Sequence, residues 1–254
     1  MRASKGITAN RRLLSISGRL EALVMNIASG VVIEDGAEIN VTEYLEIGEG
    51  SHIRKNAIIE GRWIKIGKRC WFDWDAHIGG GSCFDAHSSL VMGDDCHMGR
   101  YSHVNTARAV SIGNEVGIGI GTKVYTHGAY LPEDEGFPVR FEPVSIGNRV
   151  WLPEARVLPG TVIEDNVVVA TLSLVQGHLK TGCLYGGVPA RLIKENVYPA
   201  ILGGDEIAAI HERIHNEADE ILAHRRAIGL ESDAEKILSN QFRRHGVRAI
   251  LSDE

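Results

Sequence analysis

The sequence predicts an all-β core wound as a parallel β-helix, with helical segments at either end. Three observations lead there. A four-residue unit (apolar, any, apolar, Gly) recurs five times. Large apolar residues then follow at intervals of six. Of the 29 glycines, 22 fall between residues 31 and 200, leaving both ends poor in Gly.

The copies are Leu45-Glu46-Ile47-Gly48, Ile64-Lys65-Ile66-Gly67, Leu90-Val91-Met92-Gly93, Val110-Ser111-Ile112-Gly113 and Val144-Ser145-Ile146-Gly147. Counted from the second apolar residue of each, position +4 is small: Ser51, Cys70, Cys96, Val116, Val150. Position +6 is large: Ile53, Phe72, Met98, Ile118, Leu152. The first four copies place Ile59, Ile78, Val104 and Val124 at +12. An α-helix would repeat its apolar stripe every 3.6 residues. A spacing of six suits a coil with three flat faces, each contributing one inward side chain that stacks on its equivalents in adjacent coils. Small residues then fill the corners, and the Gly after the aliphatic is expected to permit the turn.

A stack of this kind buries each coil only against its neighbours and needs capped ends. Residues 10–28, with Leu13, Leu14, Leu20, Leu23, Val24 and Ile27, are expected to supply a helical cap. The tail carries Ile207, Ile210, Ile214, Ala218, Ile221 and Leu222 at helical spacing, so a helix is expected over 205–228, capped by Asp205 and ended by Gly229. Ile237, Leu238 and Phe242 suggest a second helix over 232–245. The expected division is a cap at 1–30, a β-helix at 31–198 and a helical extension at 199–254.

Spacing between copies is 19, 26, 20 and 34 residues. The two long intervals carry their surplus after the third face, at 79–89 and 128–143, so both insertions are expected at one edge. Loops on a rigid stack are where chemistry is usually placed. His127 opens the longer insertion, with Asn105 one coil earlier and Asp85 and His87 in the shorter insertion. A neutral imidazole can take a proton from a hydroxyl or amine near neutral pH, and an amide beside it could steady an oxyanion. A histidine capping a turn before a solvated loop accounts for the same position equally well.

The ordered set Thr126-His127, Pro143-Val144-Ser145-Ile146-Gly147-Asn148-Arg149-Val150-Trp151, Leu158-Pro159-Gly160 and Gly187-Val188-Pro189-Ala190-Arg191 resembles the hexapeptide-repeat, left-handed β-helix acyltransferases. The resemblance covers about residues 31–198 and is nearest the maltose/galactoside and polysaccharide O-acetyltransferases. It implies a homotrimer using acetyl-CoA as acyl donor in a cleft between neighbouring copies, with no metal. His127 would match the general base, and Asn105 the residue that places acyl group or acceptor. Trp151 and Arg191 would match cofactor-binding positions, a guanidinium being suited to the phosphates of CoA.

The chain departs from the family pattern at 169–177, where Thr171 and Gln176 are the cofactor-binding candidates and Gln176-Gly177 replaces the usual Thr-Lys. Lys180 is the candidate substitute. Trp151-Leu152-Pro153-Glu154-Ala155 is one residue short, bringing Glu154 toward the CoA arm. Asp85 and His87 are the acceptor-binding candidates.

Composition bounds the alternatives. A net charge of −6 and a pI near 6.0 argue against nucleic acid as partner. No apolar run approaches the roughly 20 residues of a membrane span, and no secretory signal is read at the N-terminus. Four cysteines without a CxxC pair suggest reduced thiols and a cytoplasmic protein. His211-Glu212-Arg213-Ile214-His215 fits HExxH, but reads better as a solvated helical face than as a zinc site. The expected function is acetyl transfer to a hydroxyl of a sugar or polysaccharide precursor. N-acetylation of an amino sugar or other amine is the rival, and a non-catalytic trimeric scaffold is the third reading.

Overall fold

The computed structural model describes residues 7–9, 15–16, 19–230, 233–235, 237, 238 and 241. The chain divides into two compact units, Met1–Pro199 and Ala200–Glu254.

The first unit is a parallel β-helix with three faces, and its register is the repeat of the sequence. On the first face Ile66, Met92, Ile112 and Ile146 stand side by side on successive coils. On the second, Phe72, Met98, Ile118 and Leu152 do so; on the third, Ile59, Ile78, Val104, Val124 and Val157. None of these side chains is more than 3% exposed, and burying each contributes roughly 1.5–3 kcal/mol. The small +4 residues are equally buried. Among them, the Cys70 and Cys96 thiols donate to the carbonyls of Gly93 and Gly113, at 3.2 and 3.1 Å.

The repeat glycine has a different reason from the expected one. Gly48, Gly67, Gly93, Gly113 and Gly147 do not take the left-handed conformation; the residues two further on do, namely Gly50, Arg69, Asp95, Glu115 and Arg149, with φ between 52° and 68°. The glycines are required by what lies next to them. A Cβ on Gly67 would stand 2.4 Å from the Gly93 carbonyl carbon and 2.5 Å from Asp94 Oδ1, and one on Gly93 would stand 2.3 Å from Asn114 Oδ1. Those side chains reach in to satisfy backbone donors. Asp94 accepts from Lys68 N–H, Asn114 from Asp94 N–H and Asn148 from Asn114 N–H, each at 2.8 Å. Asp165 accepts from Asn148 N–H at 2.7 Å. The missing side chain is the space this corner ladder occupies.

The expected N-terminal helix is corrected to strand. Ile7–Ala9, Ser15–Ile16, Arg19–Glu21 and Val24–Ile27 are all extended, and the last two pair in parallel with Glu38–Ile47. Met25 and Ile27 are buried while Val24 is exposed, the alternation of a strand. Ile27, Ile33 and Ile39, again six apart and buried, extend the stack upstream. Leu13 and Leu14 lie outside the described residues.

In the second unit a helix spans Gly204–Ala227 and buries Ile214, Ala218 and Leu222. Its N-cap is Gly203 rather than Asp205, and the Gly203 N–H donates to the Glu206 carboxylate at 2.7 Å. Residues 234, 235, 237, 238 and 241 are helical; the remainder of the expected helix over 232–245 falls outside the described residues. No described helix is long and apolar enough to cross a membrane.

Candidate active site

Both insertions leave the stack at the corner after the third face. Gly79 and Asn105 end adjacent third-face strands and are register partners, and the first insertion begins at Gly79. The second begins two coils after the first and one after Asn105, where His127–Gly128 turns away to pair antiparallel with Arg140–Phe141, placing His127 opposite Phe141.

Asn105 organises this corner. It is 1% exposed, and both ends of its amide are engaged. Its Oδ1 accepts from His127 Nδ1 at 2.9 Å, from the Thr126 hydroxyl at 2.6 Å and from Ala107 N–H at 3.2 Å. Its Nδ2 donates to the carbonyls of Gly79 at 3.2 Å and Gly81 at 3.5 Å. Turning the amide over would set NH2 against a backbone N–H and oxygen against two carbonyls, so these partners fix its orientation. An oxygen facing Nδ1 requires a proton on Nδ1. The neutral His127 ring therefore carries its lone pair on Nε2, the form a general base needs. Among the described residues Nε2 has no hydrogen-bond partner, and a Cβ on Gly81 would lie 3.8 Å from it. The Phe141 ring stacks on the imidazole with centroids 5.4 Å apart and planes inclined by 16°.

In this geometry the Asn105 donor is engaged by the Gly79 and Gly81 carbonyls and its oxygen by His127. Asp85 accepts from His87 N–H at 2.9 Å and faces the Arg108 guanidinium at 3.5 Å. His87 is exposed, and among the described residues no hydrogen bond or ring contact joins its imidazole to His127 or Asn105. Three residues that sequence reasoning missed belong to this corner: Gly81, Arg108 and Phe141. The Gly79-Gly80-Gly81 run was the available signal for the first, since Gly79 and Gly80 take φ of 132° and 90°, values that favour glycine. Nothing local marks Phe141, which reaches His127 only because the insertion doubles back.

Within the first insertion Cys83 is buried, and burial, helped by the Glu60 charge, pushes its thiol up to about 11. It is no thiolate nucleophile at neutral pH. His103 stacks on His77 with centroids 4.7 Å apart and bonds the Gly79 carbonyl through Nε2 at 3.2 Å. Burial first, and the neighbouring His77 second, lower its pKa to about 4. Among the described residues no group of His, Cys, Asp and Glu is arranged to hold a metal. In the tail motif, His215 Nδ1 bonds the His211 carbonyl at 2.8 Å.

The six cofactor-binding candidates are all exposed, and they do not converge within one chain. Trp151 lies on the second face, flat enough over the preceding coil that a Cβ on Gly117 would meet its ring at 2.4 Å. Glu154 and Thr171 sit at the corner after that face. Gln176 follows Val175 as Asn105 follows Val104, at the corner of His127. Lys180 follows the first-face strand His178–Leu179, and Arg191 is on the antiparallel strand Ala190–Lys194.

No protein-family model matches the chain. Over 120 residues it is 32% identical to Escherichia coli WbbJ, assigned to O-acetyl transfer in lipopolysaccharide biosynthesis; the match covers 42% of this chain and 60% of that protein. Over 153 residues it is 25% identical to Escherichia coli galactoside O-acetyltransferase, covering 56% and 68%. The chain thus spans about 60% of the length of the first of these relatives. Among solved structures, the hexapeptide-repeat acetyltransferase VCA0836 of Vibrio cholerae is similar with a TM-score of 0.45 and 23% identity, over 52% of this chain and 73% of that one. The repeat and the three-faced coil are those of a parallel β-helix, and over part of its length the chain is similar in sequence to these two O-acetyltransferases.

Proposed function

We propose that the protein transfers an acetyl group from acetyl-CoA to a hydroxyl of a saccharide, with His127 as general base. One observation carries this reading. The Asn105 oxygen holds the proton on His127 Nδ1 at 2.9 Å, and Nε2 is left open at the rim where both insertions meet. An acceptor hydroxyl beside Nε2 would give its proton to the imidazole as its oxygen attacks, and the imidazolium would stay paired with the Asn105 oxygen. Thr126 and Ala107 hold that oxygen in place, so the ring need not reorient during the step. The bound thioester supplies the acyl group: the new C–O bond forms as the C–S bond breaks, CoA leaves as its thiolate, and the proton held on Nε2 passes to it, restoring the neutral imidazole.

The donor's place is proposed between two copies of the chain. The indole of Trp151 and the exposed cations Lys180 and Arg191 suit the apolar arm and the phosphates of CoA, yet within one chain these groups lie on different faces. A homotrimer would bring the face of one copy against the corner of another. Four free, buried cysteines and a CoA donor favour a cytoplasmic setting. The two E. coli relatives, both O-acetyltransferases by description, support a saccharide hydroxyl as acceptor.

The test is release of free CoA thiol from acetyl-CoA in the presence of a panel of sugars, sugar nucleotides and amines. Turnover with a hydroxyl acceptor, abolished in His127→Ala, is the expected result. Turnover confined to amines would make this an N-acyltransferase. No turnover, with no acetyl-CoA binding by calorimetry, would overturn the reading in favour of a scaffold.

A further inference from the structure

We propose that Arg108 is a positioning residue for this acyl transfer, its guanidinium keeping the Phe141 ring stacked on His127 while tying that ring to Asp85 of the other insertion. The inference rests on the reading of His127 as base and adds the means by which the two loops hold it.

Arg108 stands between the insertions in sequence and in space. Its side chain is a quarter exposed, and each part of the residue has a partner at the corner. The backbone N–H donates to Thr126 Oγ1 at 3.1 Å, the same hydroxyl that donates to Asn105. One guanidinium nitrogen, Nη1, donates to the Ala107 carbonyl at 2.6 Å and faces the Asp85 carboxylate at 3.5 Å. The guanidinium carbon lies 4.5 Å from the Phe141 ring centroid, within the range of a cation–π contact. Phe141 itself stacks on His127, and the next residue, Glu142, donates its N–H to the Thr126 carbonyl at 2.9 Å.

His127 is therefore held from two sides. Asn105 fixes the tautomer and the Nδ1 edge. Phe141 fixes the plane of the ring, and the Arg108 guanidinium contacts both Phe141 and Asp85 of the first insertion. The ring alone would be a weak restraint, because it projects from a two-stranded excursion, Arg140–Phe141 against His127–Gly128, to which no third strand is added among the described residues. A cation on its π face, anchored by Asp85 and by the Ala107 carbonyl, supplies the missing backing. A displacement of an acceptor bound to the 79–89 loop would be transmitted through Asp85 and Arg108 to the base.

The experiment compares Arg108→Met, Arg108→Lys and Phe141→Leu with wild type in the full-length chain. Histidine-labelled protein gives the His127 ring signals by NMR, assigned with His127→Gln. Stacking on Phe141 shifts those ring protons by its ring current. Arg108→Met keeps the stem and removes the cation; its His127 signals are expected to move toward those of Phe141→Leu. Its kcat should fall about tenfold or more, the scale of a misplaced reacting group, with the KM for acetyl-CoA within twofold. Arg108→Lys, which retains a cation for the ring, should recover much of both. Should Arg108→Met not fold, Phe141→Leu and Arg108→Lys carry the comparison. Unmoved His127 signals in Arg108→Met, or moved signals with kcat unchanged, would overturn the proposal. A wild-type protein inactive on every acceptor would instead count against the acyltransfer reading, while the NMR comparison still decides whether Arg108 holds the ring.

Discussion

Asn105 and His127 sit 22 residues apart in the chain and one coil apart in space, joined by a single 2.9 Å hydrogen bond between amide oxygen and imidazole Nδ1. The bond is informative because the amide has no freedom. Five polar contacts on two sides dictate which end is oxygen, and the oxygen dictates which imidazole nitrogen is basic. A buried side chain in the stack thus sets the chemistry of one at the rim.

Replacing His127 by Ala should lower turnover at least about a hundredfold, the lower range for losing a general base. The residue is only half-buried, so its thermal transition should be nearly unchanged. Steady-state thiol release and circular dichroism melting check the two halves separately, and near-normal turnover would remove His127 from the mechanism.

Asn105→Ala should behave differently, losing stability as well as activity. It would leave the buried Ala107 N–H without its acceptor and His127 Nδ1 without its own, while the Gly79 carbonyl would keep only His103. Each orphaned group costs about 1–3 kcal/mol unless water replaces the amide. Denaturant midpoints should fall visibly, and kcat should fall even in protein that remains folded.

Gly81→Leu probes the space beside Nε2. An added Cβ would lie at an ordinary 3.8 Å from the ring, so Gly81→Ala should fold and turn over within a few-fold of wild type. The longer Leu side chain can fill the acceptor's approach. A rise in acceptor KM of about tenfold or more, with acetyl-CoA KM unchanged, is the expected split.

The corner ladder predicts a contrast between glycines. Gly93→Ala drives a Cβ to 2.3 Å from Asn114 Oδ1 and 2.8 Å from the Gly113 backbone, whereas Gly128→Ala meets nothing within 4 Å. The first should cost about 1–3 kcal/mol or more, as overpacking does, and the second should leave the melting temperature within experimental scatter.

Stability should decline as pH falls from about 6.5 to about 4, in part through His103. Its folded pKa is depressed to about 4 against an ordinary value near 6.5. Between those values the unfolded chain binds a proton that the folded chain refuses, so lowering the pH favours unfolding. Glu60, Lys123 and His77 face the same ring. The loss is on the order of 2 kcal/mol once partial solvent access is allowed for, and it should be smaller in His103→Gln when melting is followed across that range.

Much of the coil was legible because its inward positions repeat in phase. Ile66, Phe72 and Ile78 announce one lap, and Met92, Met98 and Val104 the next. The departure of both insertions from one corner followed from counting alone. The segment before residue 28 was misread because its apolar residues are too few to separate a helix from short strands; the decisive clue was Ile27, which stands six before Ile33. The +1 glycines were found, but their cause lies in a side chain from the following coil, which spacing within one copy cannot reveal. That His127 and Asn105 share one corner was readable from their positions, which left the role of the histidine open. Arg108 and Phe141 were not, since their contacts arise between two irregular loops whose folding no periodicity encodes.

The ladder of side-chain acceptors has a direction. Asp94 serves the N–H of Lys68, Asn114 that of Asp94, and Asn148 that of Asn114; each rung is supplied from downstream. A nascent chain therefore leaves its newest turn unfinished until the next has been synthesised, a lag of 20 residues at Asp94 but 34 at Asn114. The longest delay spans the excursion that carries Phe141 to His127, so the turn at Asn114 is completed only after that whole loop has been made.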